Sequence, residues 1–179
     1  LLSENILTLM KSKYMDESEK KQIGQRLTSR VSAGLSFIES DYLDNHPVPD
    51  PTWIRNIYIL LSFYTELLLK AIFVAKKQFS DVNDLDNQLR KIGHNFVAAG
   101  KEIGGNELLE FGIKAIQFVN HEYLIETSDG EFYVKDFNDI RYDFIEGKVR
   151  KLQGNEHEEF KKQIEIMLAI NSKLKSIVW

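Results

Sequence analysis

Apolar residues recur at helical spacing over residues 50–79, and the rest of the chain can be placed around this stretch. Asp50 is a favourable N-cap, and Pro51 suits the first helical position, where a backbone N–H is not needed. At 100° per residue, most of the helix circumference is apolar and the polar residues fall in one narrow stripe. These are Arg55, Ser62, Glu66, Lys70 and Lys77. The pattern predicts a central buried helix whose polar stripe faces a cleft, a partner or water.

The same spacing predicts further helices on both sides of the central one. Residues 3–15 suit a short amphipathic helix. Asp16 and Glu19 resemble a capping box at the start of a second long helix. Its apolar stripe consists of Ile23, Leu27, Val31, Leu35, Ile38 and Tyr42. Shorter helices are predicted over 86–92, 95–103 and 106–118, and a long one over 156–178 closes the chain. The predicted fold class is therefore all-α, a helical bundle.

One segment breaks the helical pattern and predicts a small β-hairpin over residues 123–135. Asp129-Gly130 lies between two runs rich in β-branched and aromatic residues, which is a typical signal for a two-residue turn. With that turn, Thr127 would face Phe132 and Ile125 would face Val134. The apolar residues would then share one face of the hairpin.

Composition narrows the possible classes of protein. The 179 residues predict a single domain over 1–179, long enough to bury a real core. The chain has no cysteine, which excludes disulfides, thiolate catalysis and cysteine zinc sites and favours a cytoplasmic location. A formal net charge of −4 gives no overall attraction for nucleic acid, so any such binding needs a local basic patch. Charged residues interrupt the central helix, so no membrane span is expected.

Three motifs taken together resemble HEPN domains. The central helix carries the sequence ELLLKAIFVA at 66–75, Gly93-His94-Asn95-Phe96 follows after a polar gap, and Ile140-Arg141-Tyr142 precedes the last helix. Their order and spacing resemble the family pattern over roughly residues 53–179. The resemblance implies a helical bundle, commonly a homodimer, that works in RNA cleavage, nucleotide-related regulation, toxin–antitoxin or defence systems. The hairpin would be an insertion in that bundle.

Many HEPN proteins are metal-independent ribonucleases, and their signature is an Arg followed by a His after four to six intervening residues. The His moves a proton at the ribose hydroxyl, and the Arg neutralises the phosphate. Arg55 has no His at that spacing, and His94 is one residue too close to Arg90. Only Arg150 and His157 satisfy it, but Gly154 interrupts the segment. These two are the catalytic candidates, and the expectation leans against an enzyme.

The preferred hypothesis is a non-catalytic HEPN-like module that binds a nucleotide, RNA or a partner protein. The ligand-binding candidates are Arg141, His94, Lys70, Glu66 and Arg55. A structural ion pair between Glu66 and Lys70 is the simpler alternative, since the two residues are four apart on a helix. The scattered histidines predict no metal site, and no cofactor is expected. The rival hypotheses are a ribonuclease using Arg150 and His157 and a plain protein-interaction module in which the hairpin is the contact surface.

Overall fold

The computed structural model describes residues 14–45, 51–135 and 155–178. They form a mainly helical fold with one three-stranded antiparallel sheet. In chain order the elements are α1 (Glu17–Phe37), a π-helix (Ile38–Leu43), α2 (Pro51–Lys76), α3 (Val82–Ile92), α4 (Phe96–Ile103), α5 (Gly105–Glu110), β1 (Ile113–Val119), β2 (Glu122–Thr127), β3 (Glu131–Lys135) and α6 (Glu156–Val178). The predicted N-cap Asp50 and almost all of the predicted helix at 3–15 lie outside the described residues.

Helices α1, α2 and α6 pack together and hold most of the core. The predicted start of α1 is confirmed, because the Asp16 carboxylate accepts a hydrogen bond from the Ser18 N–H at 3.2 Å. A buried amide joins α1 to α6. Asn171 Nδ2 donates to the Thr28 carbonyl at 2.9 Å and to the Ser32 hydroxyl at 2.8 Å. This contact fixes how far α6 lies along α1.

The prediction that α2 is the central buried helix is confirmed. Apolar residues along its whole length are buried, including Ile57, Leu61, Leu68 and Ile72. One detail of the predicted stripe is wrong. Ser62 does not face a cleft or water, since it is 2% exposed and its hydroxyl donates to the Lys135 carbonyl at 2.7 Å. Strand β3 covers this part of the helix, and Phe63 is left 45% exposed beside it.

The predicted helix over 106–118 is wrong in its second half. Helix α5 ends at Glu110, and residues from Ile113 onward form strand β1. Gly112, with φ of 86°, reverses the chain between the two elements. At the other end of β1, Asn120 and His121 have φ of 52° and 67°, which makes the turn into β2. The β-structure is thus a three-stranded sheet rather than a hairpin alone.

The predicted hairpin exists, but its register is shifted by two residues. Ile125 lies opposite Phe132, and Tyr123 lies opposite Val134. The turn lies one residue earlier in the chain than the predicted Asp129-Gly130 turn. The Thr127 N–H donates to the Gly130 carbonyl at 2.8 Å, and the Thr127 hydroxyl donates to the same oxygen at 2.6 Å. A shift of two residues keeps side chains on the same face, so the predicted apolar face is buried as expected.

Candidate ligand-binding site

The Glu66 carboxylate joins two of the predicted site residues. Lys70 Nζ donates to Glu66 Oε1 at 2.5 Å, and His94 Nδ1 donates to Glu66 Oε2 at 2.6 Å. The Glu66 and Lys70 side chains are only 13% and 20% exposed, whereas that of His94 is 57% exposed. The three residues, called here the Glu66 cluster, therefore have a half-buried acidic centre and an exposed imidazole.

Local sequence explains how His94 reaches Glu66. Gly93 ends α3 with φ of 56°, a conformation that suits glycine, and Asn95 caps α4 by accepting from the Ala98 N–H at 2.9 Å. His94 lies between these two signals. Helix α4 packs on α2 through buried residues such as Phe96 and Ala99. The short junction between α3 and α4 is consequently held beside the polar stripe of α2.

The charges around His94 favour an anionic ligand. An ionised carboxylate only accepts hydrogen bonds, so Nδ1 of His94 carries hydrogen and Nε2 is a lone pair or, in the imidazolium, a second N–H. Lys91 is exposed three residues before His94, and Arg90 pairs with Asp86 at 2.8 Å. The N-terminus of α4 adds a partial positive charge next to the imidazole. Lys91 was not among the predicted ligand-binding residues, although its position three residues before His94 could have suggested it.

Arg55 does not belong to this cluster. It lies eleven residues before Glu66 on α2, a distance of about 16 Å along the helix at 1.5 Å per residue. The Arg55 side chain is partly buried, and its Nε atom is buried from solvent. The shared stripe of α2 therefore contains two separate polar regions, and a binding role for Arg55 stays a prediction.

His157 is held in the protein packing at the start of α6. Its Nε2 contacts the Leu43 carbonyl at 2.5 Å, and its ring stacks on Trp53 with centroids 6.3 Å apart and planes 1° from parallel. Trp53 in turn donates from Nε1 to the Tyr42 carbonyl at 2.9 Å. These contacts join α6 to the π-helix and to α2. They give His157 a structural role at the start of α6 that needs no catalytic function.

A neighbouring ion pair supports the same end of the bundle. Lys161 Nζ lies 3.1 Å from Asp44 Oδ1, and this hydrogen bond and charge raise the pKa of Lys161 above its ordinary value. Trp53, which His157 contacts, precedes Glu66, which His94 contacts, by thirteen residues on α2, a distance of about 20 Å along the helix. His94 and His157 therefore do not converge on one cleft. Arg141 and Arg150, the two arginines that would complete the predicted sites, lie outside the described residues.

Comparisons with known proteins give no family for this chain. It matches no protein family, no curated protein and no solved structure. Within the part of the chain that the structure describes, no three His, Asp or Glu side chains are grouped as metal ligands would be. The fold class is therefore defined only as mainly helical with a small antiparallel sheet, and the HEPN resemblance stays a prediction.

Helix α2 is long and apolar enough over Thr52–Lys76 to cross a membrane by length and composition. In this fold, 72% of its most apolar window is buried inside the protein. The core helix of a soluble protein meets the same criterion, so this property alone does not assign α2 to a membrane. The predicted cytoplasmic location and the predicted absence of a membrane partner stay predictions.

Proposed function

We propose that this chain is a non-catalytic, HEPN-like binding module that recognises the phosphate groups of RNA or of a nucleotide in a regulatory, stress or defence system, acting as a homodimer. The observation that carries the proposal is the Glu66 cluster. Two of the segments on which the resemblance rests, the helix containing Glu66 and Lys70 and the junction containing His94, are in direct contact. The mass of the purified protein in solution, from light scattering, tests the dimer.

The chemistry of the cluster suits phosphate recognition. The Lys70 ammonium has three N–H donors, of which Glu66 takes one, and the exposed His94 ring contacts the same carboxylate. Exposed Lys91 adds a further positive charge three residues before His94 in the sequence. This is the kind of local basic patch that binding to nucleic acid needs in a protein whose net charge is −4.

Substitutions around His94 should weaken binding of RNA. We expect His94→Ala and Lys91→Ala each to raise the dissociation constant for a labelled single-stranded RNA about tenfold, equivalent to ~1.4 kcal/mol, because the first removes an exposed imidazole and the second a positive charge. Fluorescence anisotropy at low salt measures this, with ATP and GTP as competitors to identify a nucleotide ligand. Lys21→Ala, an equally exposed lysine on α1, is the matched control. Equal binding by all four proteins would contradict the proposal.

The catalytic rival makes a different prediction about His157. We expect the purified protein in EDTA to leave single-stranded RNA intact, because His157 is held against Leu43 and Trp53 at a separate place from the Glu66 cluster. His157→Ala should instead lower the free energy of unfolding by about 1 to 3 kcal/mol through the lost hydrogen bond and ring contact. Gel assays and thermal melts measure the two effects. RNA cleavage that disappears in both Arg150→Ala and His157→Ala would establish the ribonuclease.

A further inference from the structure

A second polar region, far from the Glu66 cluster in the fold, surrounds a cavity of about 380 Å³ between the β2–β3 hairpin and α6. Tyr58 of α2 contributes to the wall. The cavity is in the size range of sites that bind small molecules. Aromatic and polar side chains share its lining, which consists of Tyr58, Glu122, Glu131, Phe132, Tyr133, Glu159, Phe160, Lys162 and Gln163.

The charges of the lining favour a cationic ligand. Among the described residues of the lining, three carboxylates accompany one ammonium group, Lys162, an excess of two negative charges when all four groups are ionised. Lys135 lies opposite Glu122 on β3, with its Nζ 5.3 Å from the Tyr58 ring centroid, and brings one more positive charge close to this wall. Glu159 accepts a hydrogen bond from Asn155 Nδ2 at 2.7 Å, whereas neither Glu122 nor Glu131 forms an ion pair with another described residue. A phosphate-bearing ligand would be repelled here, which separates this cavity from the proposed function.

Gln163 gives independent evidence for a ligand with a hydrogen-bond acceptor. Its side chain is on the cavity wall and the residue is 5% exposed, yet its Nε2 atom has no hydrogen-bond partner among the described residues. A buried donor left without a partner is costly, so proteins rarely retain one without a reason. A carbonyl or carboxylate oxygen on a bound molecule would satisfy this amide, and the neighbouring Lys162 could pair with the same group.

The spacing of Glu122 and Glu131 indicates an elongated ligand. Glu122 and Glu131 are on adjacent strands, and in the observed register Glu131 lies opposite Glu126, four residues along β2 from Glu122. At about 3.4 Å per residue, their backbones are ~13 Å apart along the strand direction. Two carboxylates at this separation can each bind one end of a molecule with two cationic groups.

We propose that this cavity binds a small basic amino acid of the arginine or lysine type. Glu122 and Glu131 would bind its two cationic groups, and Gln163 Nε2 with Lys162 would bind its carboxylate. A molecule with two positive charges and one negative charge balances half of the excess negative charge of the lining and satisfies the buried amide. This site rests on a different set of residues from the Glu66 cluster, so the two proposals stand or fall separately.

Isothermal titration of the full chain with L-arginine at low ionic strength tests the proposal. We expect saturable binding that Glu122→Gln and Glu131→Gln each weaken at least fivefold, because each removes one charge without changing side-chain shape. Glu165→Gln, an exposed glutamate on α6 that is not on the cavity lining, is the matched control and should bind as the parent does. L-Glutamate should not bind.

Gln163→Leu separates a binding role from a structural one. This variant removes an unpaired buried donor, so its melting temperature without ligand should equal or exceed that of the parent, while L-arginine binding should fall at least fivefold. A purely structural role for Gln163 predicts the opposite, a lower melting temperature. Absence of saturable binding of L-arginine and L-lysine to the parent, or equal binding by Glu131→Gln and Glu165→Gln, would overturn the proposal.

Discussion

Leu68→Ala is expected to lower the free energy of unfolding by about 2 to 5 kcal/mol, the usual range for truncation of a buried leucine. Leu68 is 2% exposed in the middle of α2, which packs against α1, α4, α6 and the sheet. The loss combines the transfer free energy of the removed methyl and methylene groups with the cost of an unfilled cavity. Since single domains have only about 5 to 15 kcal/mol of stability, this substitution should remove a large part of it.

Urea denaturation followed by far-ultraviolet circular dichroism measures this change. Leu109→Ala, on α5, is the matched control, because that leucine is 53% exposed and its truncation should change the free energy of unfolding by no more than about 0.5 kcal/mol. Leu67, 9% exposed on the same helix, should behave like Leu68. A denaturation midpoint for Leu68→Ala equal to that of the parent would refute the central position of α2.

The helices were predictable because their signals are local. The polar stripe of α2, the Asp16 cap and the Gly93 and Asn95 boundaries each depend on residues within a few positions of one another. Glu66 and His94 were both named as candidates, but only packing of α4 on α2 reveals that they are in contact. The finer burial of α2 was not predictable, because whether Ser62 or Phe63 faces solvent depends on where β3 lies.

Strand β1 was missed because its residues satisfy a helical pattern as well as an extended one. Ile113 and Ile116, three residues apart, fit an apolar helical face, and no proline separates them from α5. The decisive signals are Gly112 before the strand and the Asn120-His121 turn after it, both with positive φ. Asn and His adopt positive φ more readily than most residues. As a signal for a turn in the sequence, however, Asn-His is much weaker than Asn-Gly.

The cavity could not have been found from the sequence. Its carboxylates come from β2, β3 and α6, and the hairpin register that was predicted would have placed Glu131 differently along β2. Neither glutamate belongs to a motif with recognisable spacing. The buried, unpaired amide of Gln163 is visible only after α6 has been packed, because a glutamine on a helix is ordinarily a solvent-exposed residue.

Gly34→Ala is expected to destabilise the protein by about 1 to 3 kcal/mol, although the same change usually stabilises a helix. A Cβ atom on Gly34 would lie 1.9 Å from Tyr64 Cζ and 2.3 Å from the Tyr64 hydroxyl oxygen, far inside van der Waals contact. The Tyr64 ring would have to leave its place over α1, and its edge-to-face contact with Phe63 would be disturbed. Gly34 is therefore required for the close approach of α1 to α2.

The reason for this cost is tested by shortening the tyrosine. Leucine lacks the ring atoms that meet the new Cβ, so in a Tyr64→Leu background Gly34→Ala should be neutral or should stabilise the protein by up to ~1 kcal/mol through higher helix propensity. Gly105→Ala is the matched control, because a Cβ there meets nothing within 4 Å. Chemical denaturation of the four proteins of the cycle gives the coupling free energy directly. An equal loss of stability from Gly34→Ala in both backgrounds would show that Tyr64 is not the obstacle, and the packing of α1 on α2 would then need another explanation.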